Sequence, residues 1–180
     1  MWPIGHVAGA YILYSLYRAE NDGIGDITVF ALVLGSLFPD LVDKPLAWYI
    51  GILPTGRSLG HSFLFIIPVC VAAYLVTRRF QRGEWGIAFA IGAVSHLVLD
   101  ALPVLWDAEA SAGFLLYPIV PIETYDNGAP TIMGLLLNSL NDPYFHLEFV
   151  FLAIALVLWH RHQYPGIQWL YKRFASGDTE

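Results

Sequence analysis

His96 and Asp100 lie four residues apart inside a long apolar run, residues 85–106. A run of this length is typical of a membrane-spanning helix, in which an ionisable side chain costs a few kcal/mol on insertion scales. At this spacing both side chains lie on one helix face, so that an imidazole and a carboxylate point the same way. The pair therefore predicts two ligands of a metal ion, provided that other segments supply partners on the same side.

The composition predicts a membrane protein with one domain. Of 180 residues, 57% are apolar and 13% are charged, whereas a typical soluble domain has about 25% charged residues. Mean hydropathy is +0.57. The formal net charge of −6 argues against nucleic acid as a partner. We expect a single membrane-embedded helical domain over residues 1–175 and a flexible tail over 176–180.

Five apolar segments predict an all-α integral membrane bundle of about five transmembrane helices. They are residues 1–17, 27–39, 58–77, 85–106 and 144–159. The intervening residues 44–55 predict an interfacial or re-entrant segment. The long outer loop, 107–142, is predicted to be either a lid over a site or a variable loop with short interfacial helices.

The basic residues predict the orientation of the bundle. If the chain crosses at each apolar segment, seven of the nine Lys and Arg residues lie on one side and two on the other. Such an excess marks the cytoplasmic side. We therefore expect a multi-pass protein of the plasma membrane, with its N-terminus outside and its C-terminus in the cytoplasm.

On this topology, polar side chains from every segment gather at the outer side. They are His6, Asp40, Asp43, Arg57, His61, His96, Asp100, His146 and Glu148. Asp and neutral His are the usual ligands of zinc and also suit manganese or iron. A single His in an apolar helix is more often a packing residue, but the joint pattern predicts a site for one or more divalent ions.

The spacing around Pro39 leaves two geometries open. Asp40 and Asp43 share a face if the helix continues past Pro39, whereas a helix that ends there would turn both carboxylates toward a common centre. Asp43 is then a further ligand, a general base, or a cap for the following segment. A pair of metal ions is a standard device for phosphoester cleavage, and Arg57 suits a bidentate contact with a phosphate oxygen.

Four motifs within residues 5–100 resemble the YdjM-like family of predicted membrane-bound metal-dependent hydrolases. They are Gly5-His6, Phe38-Pro39-Asp40-Leu41-Val42-Asp43, Arg57-Ser58-Leu59-Gly60-His61-Ser62 and Ser95-His96-Leu97-Val98-Leu99-Asp100. The chain departs from the family pattern where Ser58 and Gly60 replace Gly and Thr. Gly56 stands where the family often has His. The segment that begins at Pro39 looks like an archaeal branch of the family.

The family is in turn distantly similar to zinc-dependent phospholipases C and fungal zinc nucleases, which are all-helical. This resemblance implies that five side chains are metal ligands and that the substrate is a phosphodiester or a phosphomonoester, with a membrane lipid plausible. The implied ligands are His6, Asp40, His61, His96 and Asp100.

The predicted function is a metal-dependent hydrolase that cleaves a small-molecule or lipid phosphoester with metal-activated water on the extracytoplasmic side. One alternative is a transporter or proton carrier. The inner halves of the segments are almost wholly apolar, which argues against an ion pathway through them. Another is a structural membrane protein whose polar cluster only packs helices. The sequence leaves open the substrate, the metal, the oligomeric state and whether His146 and Glu148 join the site.

Overall fold

A computed structural model describes residues 2–18, 23–124, 131–140 and 142–175, which form helices and no strand. The all-α prediction is confirmed for these residues, while the expected tail 176–180 lies outside them. The helices are α1 (Pro3–Tyr17), α2 (Asp26–Pro45), α3 (Phe63–Arg79), α4 (Gly83–Ala101), α5 (Ile132–Ser139), α6 (Pro143–Arg161) and α7 (Ile167–Ala175).

Helix α4 lies at the centre, packed against α1, α2 and α3, and α6 packs against α1. Glycines bring the backbones of α2 and α4 together. A Cβ atom on Gly35 would lie 2.1 Å from the carbonyl oxygen of Phe89, and one on Gly92 would lie 2.4 Å from that of Leu32. Small residues allow this close approach in membrane bundles. The contact fixes the two helices that carry most of the predicted ligands.

Helix α2 does not end at Pro39 but continues through it to Pro45. Of the two geometries open from the sequence, the one in which Asp40 and Asp43 share a helix is therefore found. One turn of π-helix, Leu46–Ile50, follows and ends at Gly51, whose φ of 73° suits glycine. An irregular segment then leads to Ser62, whose hydroxyl accepts a hydrogen bond from the N–H of Leu64 at the start of α3.

Two helical stretches within the described ranges are long and apolar enough to cross a membrane, Gly83–Leu105 and Tyr144–Arg161. The remaining three predicted segments correspond to α1, α2 and α3, and five crossings stay a prediction. Helices α3 and α6 nevertheless expose many large apolar side chains, more than a water-facing helix usually shows. Examples are Leu64, Ile67, Val71, Leu75, Phe149, Val150, Ile154 and Val157.

Part of the outer loop 107–142 packs on the bundle beside His61. The Ser62 hydroxyl donates a hydrogen bond to the carbonyl oxygen of Tyr117 at 2.6 Å. The ring of Phe114 meets that of His61 edge-on, with their centroids 6.0 Å apart. Residues 125–130 and 141 of this loop lie outside the described ranges. The described part forms a wall over one side of the polar cluster.

We predict that Gly35→Val and Gly92→Val each destabilise the bundle, because the added side chain must push α2 away from α4. Overpacking of this kind costs about 1–3 kcal/mol or more. A lower melting temperature of the detergent-purified protein would show it. Gly23→Val is the control, since no atom lies within 4 Å of a Cβ atom at that position. An unchanged melting temperature in the first two variants would contradict the close packing.

Candidate metal centre

Five predicted ligands come together in one buried cluster. His61 Nε2 lies 3.6 Å from Asp40 Oδ1 and 3.5 Å from Asp100 Oδ2. His96 Nε2 lies 3.8 Å and 3.9 Å from the same two oxygens. The His6 ring stacks on that of His96 with centroids 3.6 Å apart, and its Nε2 is 3.3 Å from Asp100 Oδ1. Five side chains that are spread over positions 6 to 100 of the sequence thus meet in one cluster.

Hydrogen bonds to the Nδ1 atoms fix the tautomers of two histidines. His96 Nδ1 lies 2.6 Å from the carbonyl oxygen of Ser36, which can only accept, so Nδ1 carries the proton. His61 Nδ1 lies 2.8 Å from Asp43 Oδ2 and donates in the same way. In the neutral tautomer each Nε2 then presents a lone pair, and the two Nε2 atoms are 3.1 Å apart. This arrangement is repulsive unless a cation or a proton lies between them.

Both oxygens of the fully buried Asp43 carboxylate accept hydrogen bonds from the loop that holds His61. Oδ2 accepts from the backbone N–H of Ser58 at 2.6 Å and Oδ1 from that of Gly60 at 2.6 Å. Oδ2 also accepts from the backbone and the ring of His61. Asp43 therefore has the surroundings of a residue that orients a metal-ligating His. Its role as ligand or base stays a prediction.

The family departures at positions 58 and 60 do not affect these bonds, because both residues use backbone N–H groups. Position 60 also requires a small residue. A Cβ atom on Gly60 would lie 2.6 Å from the carbonyl oxygen of Pro39. The loop therefore lies directly on α2 at the turn that carries the two carboxylates.

Two carboxylates of the cluster, Asp40 and Asp100, line a cavity of about 1000 Å³ together with Arg57. Arg57 Nε contacts Asp100 Oδ2 at 2.8 Å, and Lys44 Nζ contacts Asp40 Oδ2 at 2.5 Å. Residues 111–123 of the outer loop supply part of the wall. The predicted phosphate contact, Arg57, thus lies between the cluster and the open space above it.

Glu148 and His146, left open by the sequence, differ in their surroundings. Glu148 is buried, lines the cavity and accepts a hydrogen bond from the backbone N–H of Trp2 at 2.7 Å. It fits against α1 because Gly5 has no Cβ atom, which would lie 2.8 Å from the Glu148 side chain. His146 is exposed on α6. Only the first of the two belongs to the cavity wall.

The sequence reasoning did not single out Lys44 or Trp48 as site residues. The position of Lys44 four residues after Asp40 was an available signal, because such pairs meet on a helix surface. Trp48 had no comparable signal. Its indole approaches Gly56, where a Cβ atom would lie 3.0 Å from Nε1. The indole therefore occupies space beside the position at which the family pattern often has His.

Among the residues that the structure describes, two groups of side chains could each hold a metal ion, one of His6, Asp40 and His96 and the other of His61, His96 and Asp100. Within each group the ligand atoms lie within 4.8 Å of one another. The donor set fits a borderline ion such as zinc, for which imidazole and carboxylate are ordinary ligands. His6 strengthens the fit, since its Nδ1 has no hydrogen-bond partner within the described residues and its Nε2 faces Asp100 Oδ1 at 3.3 Å.

We predict that Asp43→Asn weakens metal binding by about 10- to 100-fold, as expected when the partner of a ligating His is lost. An amide cannot accept all the hydrogen bonds that the carboxylate receives. Titration against a metal-binding dye would measure the change. Asp107→Asn is the control, because Asp107 lies exposed in the outer loop. Equal metal affinities in the two variants would contradict the orienting role of Asp43.

Comparison with known proteins gives a family. A model of the YdjM inner membrane protein family matches residues 1–165, which is most of the chain and includes all five clustered ligands. No curated protein and no solved structure matches the chain. The match spans both stretches that are able to cross a membrane and the candidate metal centre between the helices. The chain therefore belongs to the YdjM inner membrane protein family.

Proposed function

We propose that this membrane protein is a metal-dependent hydrolase that cleaves a phosphoester at the extracytoplasmic side. One observation carries the proposal. His61 Nε2 and His96 Nε2, with their lone pairs fixed by partners at Nδ1, face each other at 3.1 Å beside two carboxylates. Such convergence of acceptors in a protein interior is costly unless a cation or a proton binds there. A cavity over the cluster gives a substrate access to it.

His6, Asp40, His61, His96 and Asp100 would hold one or more divalent ions, with zinc favoured and manganese or iron as alternatives. The bound metal would supply a Lewis acid that lowers the pKa of a water molecule and polarises the phosphoryl group. These five residues belong to α1, α2, the loop before α3, and α4.

Asp43 would orient a metal-ligating histidine, and Arg57 would bind the negatively charged substrate. Asp43 keeps His61 in one tautomer and one ring orientation through its hydrogen bond at Nδ1. Arg57, whose side chain is 47% exposed at the cavity, would bind a phosphoryl oxygen. A guanidinium suits this role because its N–H groups match the geometry of phosphate. The buried surroundings strengthen these electrostatic contacts.

The first test is the metal content of the detergent-purified protein. We expect near-stoichiometric zinc, manganese or iron, at least tenfold reduced in His96→Ala and in Asp100→Ala because each change removes a ligand. Elemental mass spectrometry measures this directly, and His146→Ala, an exposed histidine, is the control. Full metal occupancy in both ligand variants would refute the site. A metal-loaded protein that cleaves no phosphoester would refute the hydrolase while keeping the site.

The alternatives make different predictions for the same variants. A structural role of the cluster predicts no bound metal and tolerance of alanine at position 96. A transporter or proton carrier predicts flux across proteoliposomes that depends on Asp100. The likeness to zinc-dependent phospholipases C stays a prediction from the motifs, and so does a lipid substrate.

The predicted orientation, with the N-terminus outside and the C-terminus in the cytoplasm, can be tested separately. We expect a C-terminal alkaline phosphatase fusion to be inactive and a C-terminal green fluorescent protein fusion to be fluorescent, because the basic residues favour the cytoplasmic side. Assays on intact cells measure both. An active phosphatase fusion would place the C-terminus outside and the candidate site on the cytoplasmic side.

A further inference from the structure

Two positively charged side chains line the cavity beside the candidate metal centre. Lys44 Nζ contacts Asp40 Oδ2, whereas the other oxygen of Asp40 faces His61 and His96. Arg57 Nε contacts Asp100 Oδ2. Each cation therefore pairs with a carboxylate that belongs to the candidate metal centre. Both side chains are partly exposed, 31% for the lysine and 47% for the arginine.

Trp48 adds a third donor to this wall. Its ring lies under Lys44, with Nζ 5.6 Å from the ring centroid, and it lines the same cavity. The indole N–H is buried and has no hydrogen-bond partner among the described residues. A buried donor without a partner is costly and rare in proteins. The residue lies on the π-helical turn Leu46–Ile50, and such turns are frequent at functional sites.

The charges of this wall fit a dianion. A divalent ion at the centre would compensate Asp40 and Asp100, so that the charges of Lys44 and Arg57 become available to a ligand. A phosphomonoester has three terminal oxygens and a charge near −2 at neutral pH, since its second pKa is about 6. A phosphodiester has only two terminal oxygens and a single charge. Three donors and two positive charges match the monoester better.

We propose that Lys44, Trp48 and Arg57 form a subsite for a dianionic phosphate group, and that the substrate is therefore a phosphomonoester. The inference rests on the proposed hydrolase function and adds the substrate class. The apolar part of the same cavity, which Pro103, Phe114 and Ile122 line, receives the organic group of the ester. Arg57 binds one terminal oxygen, and Lys44 and Trp48 bind the others.

Binding of two matched probes tests the subsite without any need for catalysis. Benzylphosphonate is a dianion at about pH 8, and its monomethyl ester is a monoanion of nearly the same shape. Titration calorimetry on the full-length, metal-loaded protein measures both affinities. We expect the dianion to bind at least tenfold more tightly. Lys44→Met should weaken dianion binding about tenfold, as for a charge-assisted hydrogen bond, with little effect on the monoanion.

Matched variants separate this role from a structural one. Lys44→Arg keeps the charge and should keep the preference for the dianion. Trp48→Phe should weaken dianion binding, whereas Trp159→Phe should not, because the Trp159 indole donates to the carbonyl oxygen of Pro165 at 3.0 Å and does not line the cavity. Arg82→Met removes a cation that lies over Trp85, at the start of α4 and so at the opposite end from Asp100, and should change neither affinity.

Equal binding of the two probes to the unaltered protein would overturn the subsite, as would equal losses for both probes in Lys44→Met. Hydrolysis assays then distinguish the two proposals. If the dianion preference is found but no phosphoester is cleaved, the subsite stands and the hydrolase does not. If diesters are cleaved as fast as monoesters in Lys44→Met and the unaltered protein alike, the hydrolase stands and the subsite does not.

Discussion

The candidate site depends on one contact, the approach of two imidazole nitrogens to 3.1 Å in the protein interior, which is unfavourable unless a cation or a proton lies between them. Left alone, His61 and His96 would relieve the repulsion by rotating their rings. Each is prevented from doing so by a hydrogen bond at the other ring nitrogen, from His61 to Asp43 and from His96 to the backbone of Ser36. The partners hold a geometry that favours a bound cation, which is the logic of a preorganised site.

The helix packing serves the same geometry. The carbonyl oxygen of Ser36 accepts a hydrogen bond from His96 Nδ1 because Gly35 and Gly92 let α2 and α4 approach to backbone contact. Asp43 reaches the loop around His61 because α2 continues past Pro39 for another turn and a half. The glycine contact and the proline inside α2 thus lie at the positions that bring the residues of the candidate site together. The apolar surface of α3 and α6 does not contribute to the site and suits contact with lipid.

The cavity joins two kinds of chemistry on one wall. The carboxylates of Asp40 and Asp100 on its wall, with the imidazoles behind them, suit a metal ion, while Lys44, Trp48 and Arg57 suit an anion. Their proximity is stable without a ligand because the cations pair with the carboxylates. A bound metal ion would compete for those carboxylates, so that the proposed metal binding and anion binding would support each other. This coupling would make a site that attracts its anionic ligand chiefly when it is loaded with metal.

The sequence alone determined the helical class and predicted the candidate ligands that the fold brings together. The apolar runs predict helices because a chain of this composition satisfies its backbone hydrogen bonds internally. The spacing of His96 and Asp100 places them on one face whatever the neighbours do. Side chains from residues 6 to 100 could also be assigned to one end of the bundle by counting crossings. The helical class and the shared face of His96 and Asp100 follow from composition and local periodicity, whereas the full set of five candidate ligands also rests on the family motifs.

The tertiary structure decided what no local pattern specifies. Whether α2 ends at Pro39 depended on its packing against α4, because a proline permits either outcome. The hydrogen bonds that fix Asp43 as the partner of His61, and the indole of Trp48 beside Gly56, join residues whose distance along the chain has no regular period. Glu148 entered the cavity wall and His146 did not because of the rotation of α6 about its axis. That rotation follows from contacts with α1, which only the folded chain makes.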